Sequence, residues 1–215
     1  MRNYPKADLP ATESSASIRG VIQYRALLCL STFSLVLSAC GGHGRHSSAE
    51  LVRTIRTADP AAIQQILERG ANPNIASQMG ETPLGLLIQQ YSRSEAYRRQ
   101  SIEMAATTML KNGADPNGLH HGFTPLQIAT GQGSELIVSR LITFGADPNL
   151  ETKAGLAPLW QAAYDNNHRI GLILLKAGAN PNAPNAQGQT PLEYLRSRGY
   201  SRTRLMLHLK YYGGH

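Results

Sequence analysis

The sequence predicts an all-α repeat solenoid of helix-turn-helix units joined by β-hairpin loops, about five units long including caps. Three observations predict it. The phrase Gly-Ala-x-Pro-Asn starts at Gly70, Gly113, Gly145 and Gly178, in steps of 43, 32 and 33 residues. A second phrase keeps time with it: Thr82-Pro83-Leu84, Thr124-Pro125-Leu126, Ala157-Pro158-Leu159 and Thr190-Pro191-Leu192, in steps of 42, 33 and 33. A glycine stands two residues before each of these: Gly80, Gly122, Gly155 and Gly188. With 215 residues, 41% of them apolar, the chain is long enough for one modest array.

Each phrase has a local physical meaning. Threonine is a good N-cap, and proline suits the first helical position, where no N–H is needed. The second phrase therefore opens the first helix of each unit. Small residues follow, as in Gln127-Ile128-Ala129 and Gln161-Ala162-Ala163, so that neighbouring helices pack closely. The second helix carries the larger apolar residues, among them Leu141 and Leu174. It stops at the glycine of the first phrase, which can take the left-handed conformation, and proline prevents continuation. The chain from there to the next threonine is a hairpin that projects sideways.

Two phrases locked near 33 residues resemble ankyrin repeats. The resemblance runs from about Ala49 to the end. Unit one, about 49–76, lacks the Thr-Pro-Leu phrase, splits its two helices at Asp59-Pro60, and reads as an N-terminal cap. Units two to four span roughly 77–118, 119–151 and 152–184. Unit five, 185–215, ends without the glycine phrase and reads as a C-terminal cap, with Arg196, Arg198, Arg202 and Arg204 wetting its outer side. Unit two has about ten extra residues near Tyr91–Ser101, which are expected to lengthen both of its helices into a basic horn.

The first 40 residues have another logic. Ala26 to Leu37 is an apolar stretch behind Arg25, too short for a permanent bilayer span of about 20 residues. It has the flank, middle and exit of a secretory signal. The exit, Leu37-Ser38-Ala39-Cys40, resembles the lipobox of bacterial lipoproteins. That resemblance implies lipid attachment at Cys40 after removal of a 1–39 leader and signal peptide. Residues 40–48 would then be a flexible lipid-anchored tether, and 49–215 the repeat domain. Val21 offers an alternative start that gives a signal of ordinary length. Cleavage removes Cys29, the only other cysteine, so no intramolecular disulfide is expected. Gly41, rather than aspartate, implies by resemblance delivery to the bacterial outer membrane, facing the periplasm.

Composition narrows the function. The 21 basic and 14 acidic residues give a net charge of +7, with no run of five like charges, so no nucleic-acid stripe is indicated. No nucleophile elbow, zincin motif or phosphate-cradling loop is present. His43 and His46 on a glycine-rich tether make a weak metal pair. His120 and His121, side by side at an expected hairpin tip, should point to opposite faces. His168 and His208 are isolated. No cofactor, metal or catalytic residue is expected.

The ankyrin resemblance implies a non-enzymatic, monomeric module that binds another protein through a concave face of hairpins and first helices. The positions expected there are the hairpin tips Gln78, Met79, His120, His121, Lys153, Ala154 and Gln187. On the first-helix side they are Glu81, Phe123, Leu156, Tyr164 and Asp165. Phe123 and Leu156 stand out because the family is usually polar there. Phe123 and Tyr164 are expected to be exposed anchors whose truncation leaves the fold intact. Two other readings stay open: an inhibitor or immunity protein against an envelope-directed toxin, and a structural link to the cell wall.

Overall fold

The computed structural model describes residues 44–152, 155–200 and 202–215, with side chains from Ser48 onward. Among these residues are ten α-helices: α1 Gly44–Ile55, α2 Pro60–Glu68, α3 Pro83–Gln89, α4 Ala96–Lys111, α5 Pro125–Gln132, α6 Glu135–Thr143, α7 Pro158–Tyr164, α8 His168–Lys176, α9 Pro191–Ser197 and α10 Arg204–Tyr211. They pair in order into five units. Odd-numbered helices pack on one another in one layer and even-numbered helices in a second. This is the all-helical repeat solenoid that the sequence predicts, and the apolar core lies between the layers. Leu141 and Leu174 are fully buried, as are the small residues Ala129, Ala162 and Ala163 that let the first helices approach.

Helix starts follow the expected chemistry. The hydroxyls of Thr82, Thr124 and Thr190 accept the amides of Gly85, Gln127 and Glu193. At Thr124 and Thr190 the third helical residue also reaches back to the cap amide, closing a capping box. Second helices have caps of their own. Asp59, Ser134, Asn167 and Thr203 each accept an amide of the first turn. Ala157 holds the cap position of α7 and offers no side-chain bond.

The units are joined by a ladder of asparagines. The last residue of each glycine phrase is Asn74, Asn117, Asn149 or Asn182. Its Nδ2 donates to the carbonyl of Gly113, Gly145, Gly178 or Gly213 in the next unit, at 2.8–3.1 Å. Its Oδ1 accepts the amide of Asp115, Asp147, Asn180 or His215, at 2.7–3.0 Å. Each ladder residue is itself oriented. Its own amide donates to the side chain two residues earlier, at 2.8–2.9 Å. Gly213 shares the φ of +90° found at Gly145 and Gly178, so Gly213-Gly214-His215 occupies the ladder position without the phrase.

Both ends of the ladder are informative. In unit one no asparagine precedes Asn72 among the described residues, and the hydroxyl of Ser48 accepts the amide of Asn72 at 3.4 Å. Ser48 is buried, and α1 begins at Gly44. Residues 44–48, expected as part of a flexible tether, are instead the first turns of this helix. At the other end, the position that holds buried Leu67, Leu110 and Leu175 becomes the exposed Lys210. Leu207 and Tyr211 of the same helix are exposed as well, at 61% and 84%, so this face is mixed rather than polar.

The insert of unit two corrects a second expectation. It does not lengthen both helices. α3 keeps seven residues, like α7 and α9, while α4 grows to 16 behind a single 3-10 turn, Tyr91–Arg93. Nor does it stand out as a horn. A guanidinium nitrogen of Arg98 donates to the carbonyl of Arg56 in unit one, and to Gln90 Oε1 at 3.1 Å. Gln90 Nε2 donates to the carbonyl of Ile55 at 3.3 Å. Carbonyls at a helix end lack intrahelical donors, and these two side chains supply them to α1. Arg99 folds back too, donating to Ser94 O at 2.9 Å beside the ring of Tyr91.

Restoring the missing cap by Ala157→Thr should stabilise the array by about 0.5–1 kcal/mol, the ordinary worth of a threonine N-cap. Denaturant unfolding should show a higher midpoint at constant slope; a lower midpoint would contradict the assigned register.

Candidate protein-binding face

Three of the four hairpins share one geometry. Ser77 pairs with Glu81, Thr152 with Leu156 and Asn185 with Gln189, each around a three-residue turn that ends on a left-handed glycine. The first residue of each stabilises its own turn. The side-chain oxygens of Ser77, Thr152 and Asn185 accept amides inside the same hairpin.

The hairpin of unit three is one residue shorter. His120 and Phe123 pair directly, with bonds of 2.8 and 3.0 Å, and leave a two-residue turn. Its central residues, His121 and Gly122, have φ of +51° and +85°, the type I′ pattern. The deletion changes the fate of His120. It is no tip residue, as the sequence suggested, but is fully buried. Its Nδ1 accepts the amide of Thr82 at 3.0 Å, which leaves the ring proton on Nε2. The ring lies where a side chain at Gly85 would stand, and a Cβ there would collide with it.

The general ankyrin phrase is Thr-Pro-Leu-His-x-Ala. Its fourth place here holds Gly85, Gln127, Trp160 and Glu193. In units three and five that residue bonds the cap amide itself, from Gln127 Oε1 and Glu193 Oε2, both at 2.8 Å. In unit two the glycine cannot, and His120 of the following unit supplies the acceptor. Gln127 Nε2 also reaches the carbonyls of Leu150 and Leu156, and Trp160 Nε1 that of Ala183, all at 2.9 Å. The fourth place thus bonds the first helices of units three and four to the next hairpin, and in unit two His120 makes that link from the hairpin's side.

The remaining candidates divide. Gln78, Met79, Asp165 and Gln187 are exposed, and Met79 is 67% exposed. Asp165 accepts Gln161 Nε2 at 2.8 Å. Glu81 and His121 are mostly covered, with the carboxylate 3.6 Å from His121 Nε2. The rings of His120 and His121 meet edge to face, 4.6 Å apart, instead of pointing to opposite faces. The left-handed conformation of His121 brings them together. Among the described residues no group of three or more His, Cys, Asp and Glu is placed to hold a metal. Leu156 and Phe123 are half-buried, and Phe123 packs on the core. Tyr164 is half-buried among Trp160 at 5.6 Å and Tyr194 at 4.8 Å, and burial raises the pKa of both tyrosines. Truncating Phe123 or Tyr164 therefore removes packing, contrary to the expectation that neither supports the fold. Cys40, His43, Lys153 and Ala154 lie outside the described residues.

Sequence reasoning missed two members of this face. Ile75 is 39% and Leu119 48% exposed, both on hairpin segments near Met79 and His121. A count of apolar residues between a ladder asparagine and the next glycine would have found them.

Burial, and then the neighbouring His121, pull the pKa of His120 from 6.5 to about 4. Between those values the unfolded chain binds the proton and the folded chain does not. Stability is therefore full above about pH 6.5 and falls as pH drops toward 4, by at most about 3 kcal/mol. Denaturation of His120→Gln beside the parent at pH 7.5 and 4.5 should show the acid loss reduced in the variant; equal losses would place His120 outside the linkage.

Residues 94–185 match the family model for ankyrin repeats (three copies). Neurogenic locus notch homolog protein 1 of Danio rerio is 32% identical over 185 residues, covering 74% of this chain and 8% of its own length. The human protein of the same name is 32% identical over 131 residues, 61% of this chain and 5% of its own. The B-cell lymphoma 3 protein homolog of Mus musculus is 26% identical over 173 residues, 79% of this chain and 37% of its own. This chain spans less than a tenth of the length of the notch homologues it matches. With the paired helices, the hairpins and the asparagine ladder in place, the chain carries an ankyrin-repeat solenoid.

Proposed function

We propose that this chain is an envelope-anchored lipoprotein whose ankyrin stack binds another protein, without catalysis, through its hairpins and first helices. The observation that supports binding is the exposure of Ile75, Met79 and Leu119 on two adjacent hairpins. Those hairpins are held together by backbone. His121 N–H donates to the Gly80 carbonyl at 2.9 Å, and His120 fastens the base. A fixed backbone frame spares the ordering of the hairpins on contact, which is what an interface anchor requires. The anchor rests on Leu37-Ser38-Ala39-Cys40, and its place is the outer membrane, facing the periplasm. The helical start at Gly44 leaves three residues between Cys40 and the array, about 10 Å when extended. A stack so tethered would meet partners close to the membrane.

Two variants test the two halves. Cys40→Ala should abolish labelling by fatty acid and shift the protein out of the membrane fraction; retained label would defeat the anchor. Met79→Asp with Leu119→Asp should remove at least 90% of a partner crosslinked in intact envelopes while leaving the melting temperature within about 2 °C. Undiminished crosslinking in that variant would move the binding face elsewhere.

A further inference from the structure

Unit five ends the stack with a charge distribution that folding does not explain. Arg196, Arg198, Arg202 and Arg204 fall within nine residues, from the last turn of α9 to the first residue of α10, and all four are exposed. No acidic residue occurs after Glu193. Among the described residues, none of the four makes an ion pair; the three pairs present are Arg69–Glu50, His121–Glu81 and Arg169–Glu135. Glu193 feels the charge of Arg196 but is committed to the cap of α9 through Thr190.

Helix electrostatics divides the four. Arg196 and Arg198 close α9, where positive charge is favourable. Arg202 and Arg204 flank Thr203, the cap of α10, at the end of a helix that favours negative charge. The first turn of α10 holds no acidic residue. Two cations at the positive end of a helix therefore oppose the fold, and no described carboxylate compensates them.

The cluster also adjoins the aromatic side chains of the first-helix face. Arg198 lies close enough to Tyr194 for its charge to favour the phenolate, opposing the upward shift caused by burial. Tyr194 meets Tyr164 edge to face, and Tyr200 is partly exposed in the same turn. Arginine rather than lysine fills all four places, and the planar guanidinium fork fits carboxylates two bonds at a time. We propose that this edge receives an acidic segment of a polypeptide. Its carboxylates pair with Arg198, Arg202 and Arg204, and an apolar side chain of the segment rests on Tyr164 and Tyr194. The inference rests on the protein-binding reading above and adds the chemical class of the partner. The ring pair beside Arg198, Tyr164 and Tyr194, is half-buried in a two-unit seam and suits one peptide side chain, whereas the outward Leu207 and Tyr211 lie further along α10.

The test uses the mature chain and a fluorescent 14-residue peptide of alternating glutamate and alanine with one central phenylalanine. Anisotropy should rise saturably at 50 mM salt and weaken at least tenfold at 300 mM, because exposed pairs are screened. Arg198→Ala with Arg202→Ala should weaken binding at least tenfold with an unchanged melting temperature. Arg198→Lys with Arg202→Lys should recover only part of it. A lysine-for-glutamate twin of the peptide should not bind. Failure of the glutamate peptide to saturate overturns the proposal, as does equal binding by the alanine variant. Tighter co-sedimentation with vesicles containing 30% phosphatidylglycerol would overturn it in favour of a membrane surface. If the Met79 and Leu119 variant loses its crosslinked partner while the arginine variants keep theirs, this inference fails and the protein-binding reading stands.

Discussion

The asparagine ladder is the constraint on which the rest of the structure depends. A single unit of two short helices cannot bury its apolar side alone, and isolated helices of seven to nine residues are marginal in water. Stability must come from stacking, and stacking needs a fixed register. Each ladder asparagine sets it by bonding both polar groups of the next glycine turn, the carbonyl after the helix and the amide two residues on. These turns are exposed, so the bonds compete with water and act by fixing geometry rather than by relieving buried polar groups. The same residue is aimed by its own unit, so orientation passes from one end of the array to the other, from Ser48 to His215.

On that frame a small deletion has a large local effect. One residue fewer in the third hairpin converts its turn to the two-residue form, and His120 moves from the tip to the interior. Unit two carries glycine where its own side chain would have bonded the cap amide. Gly85 and His120 are therefore complementary. Either alone would leave a collision or an unpaired amide, and together they fasten two units. The insert of unit two acts similarly at the other end of its helices, where Gln90 and Arg98 close the open end of α1. Both irregular features serve contacts within the stack. Of the hairpins, Ile75, Met79 and Leu119 are left facing outward; the second helices expose Tyr97, Met104, Leu136, Leu207 and Tyr211, and unit five its arginines.

The repeat frame was legible because its signals are local. Thr-Pro at a helix start, glycine at a helix end and a 33-residue period each act within a few residues of themselves, and ten helices follow. The helix cap missing at Ala157 could be read the same way. Contacts between units could not. Nothing adjacent to His120 marks it as buried; its position depends on the loop length before Phe123 and on a glycine 35 residues earlier. Phe123 and Tyr164 look like exposed anchors in a linear reading because their covering neighbours lie in other units. The asparagine that ends each phrase reads as turn chemistry, and only the stack reveals it as the bond between units.

Native-state hydrogen exchange at the ladder amides tests the account most directly. The amides of Asp115, Asp147 and Asn180 sit in exposed turns and would exchange freely if the turns were merely adjacent. With the ladder formed, they should be protected to within about tenfold of the core helix amides. Asn117→Ala should abolish protection at Asp147 and weaken it in α6 and α8 together. Fast exchange at all three amides in the parent, or a loss confined to Asp147 in the variant, would contradict the claim that the ladder sets the register of the stack.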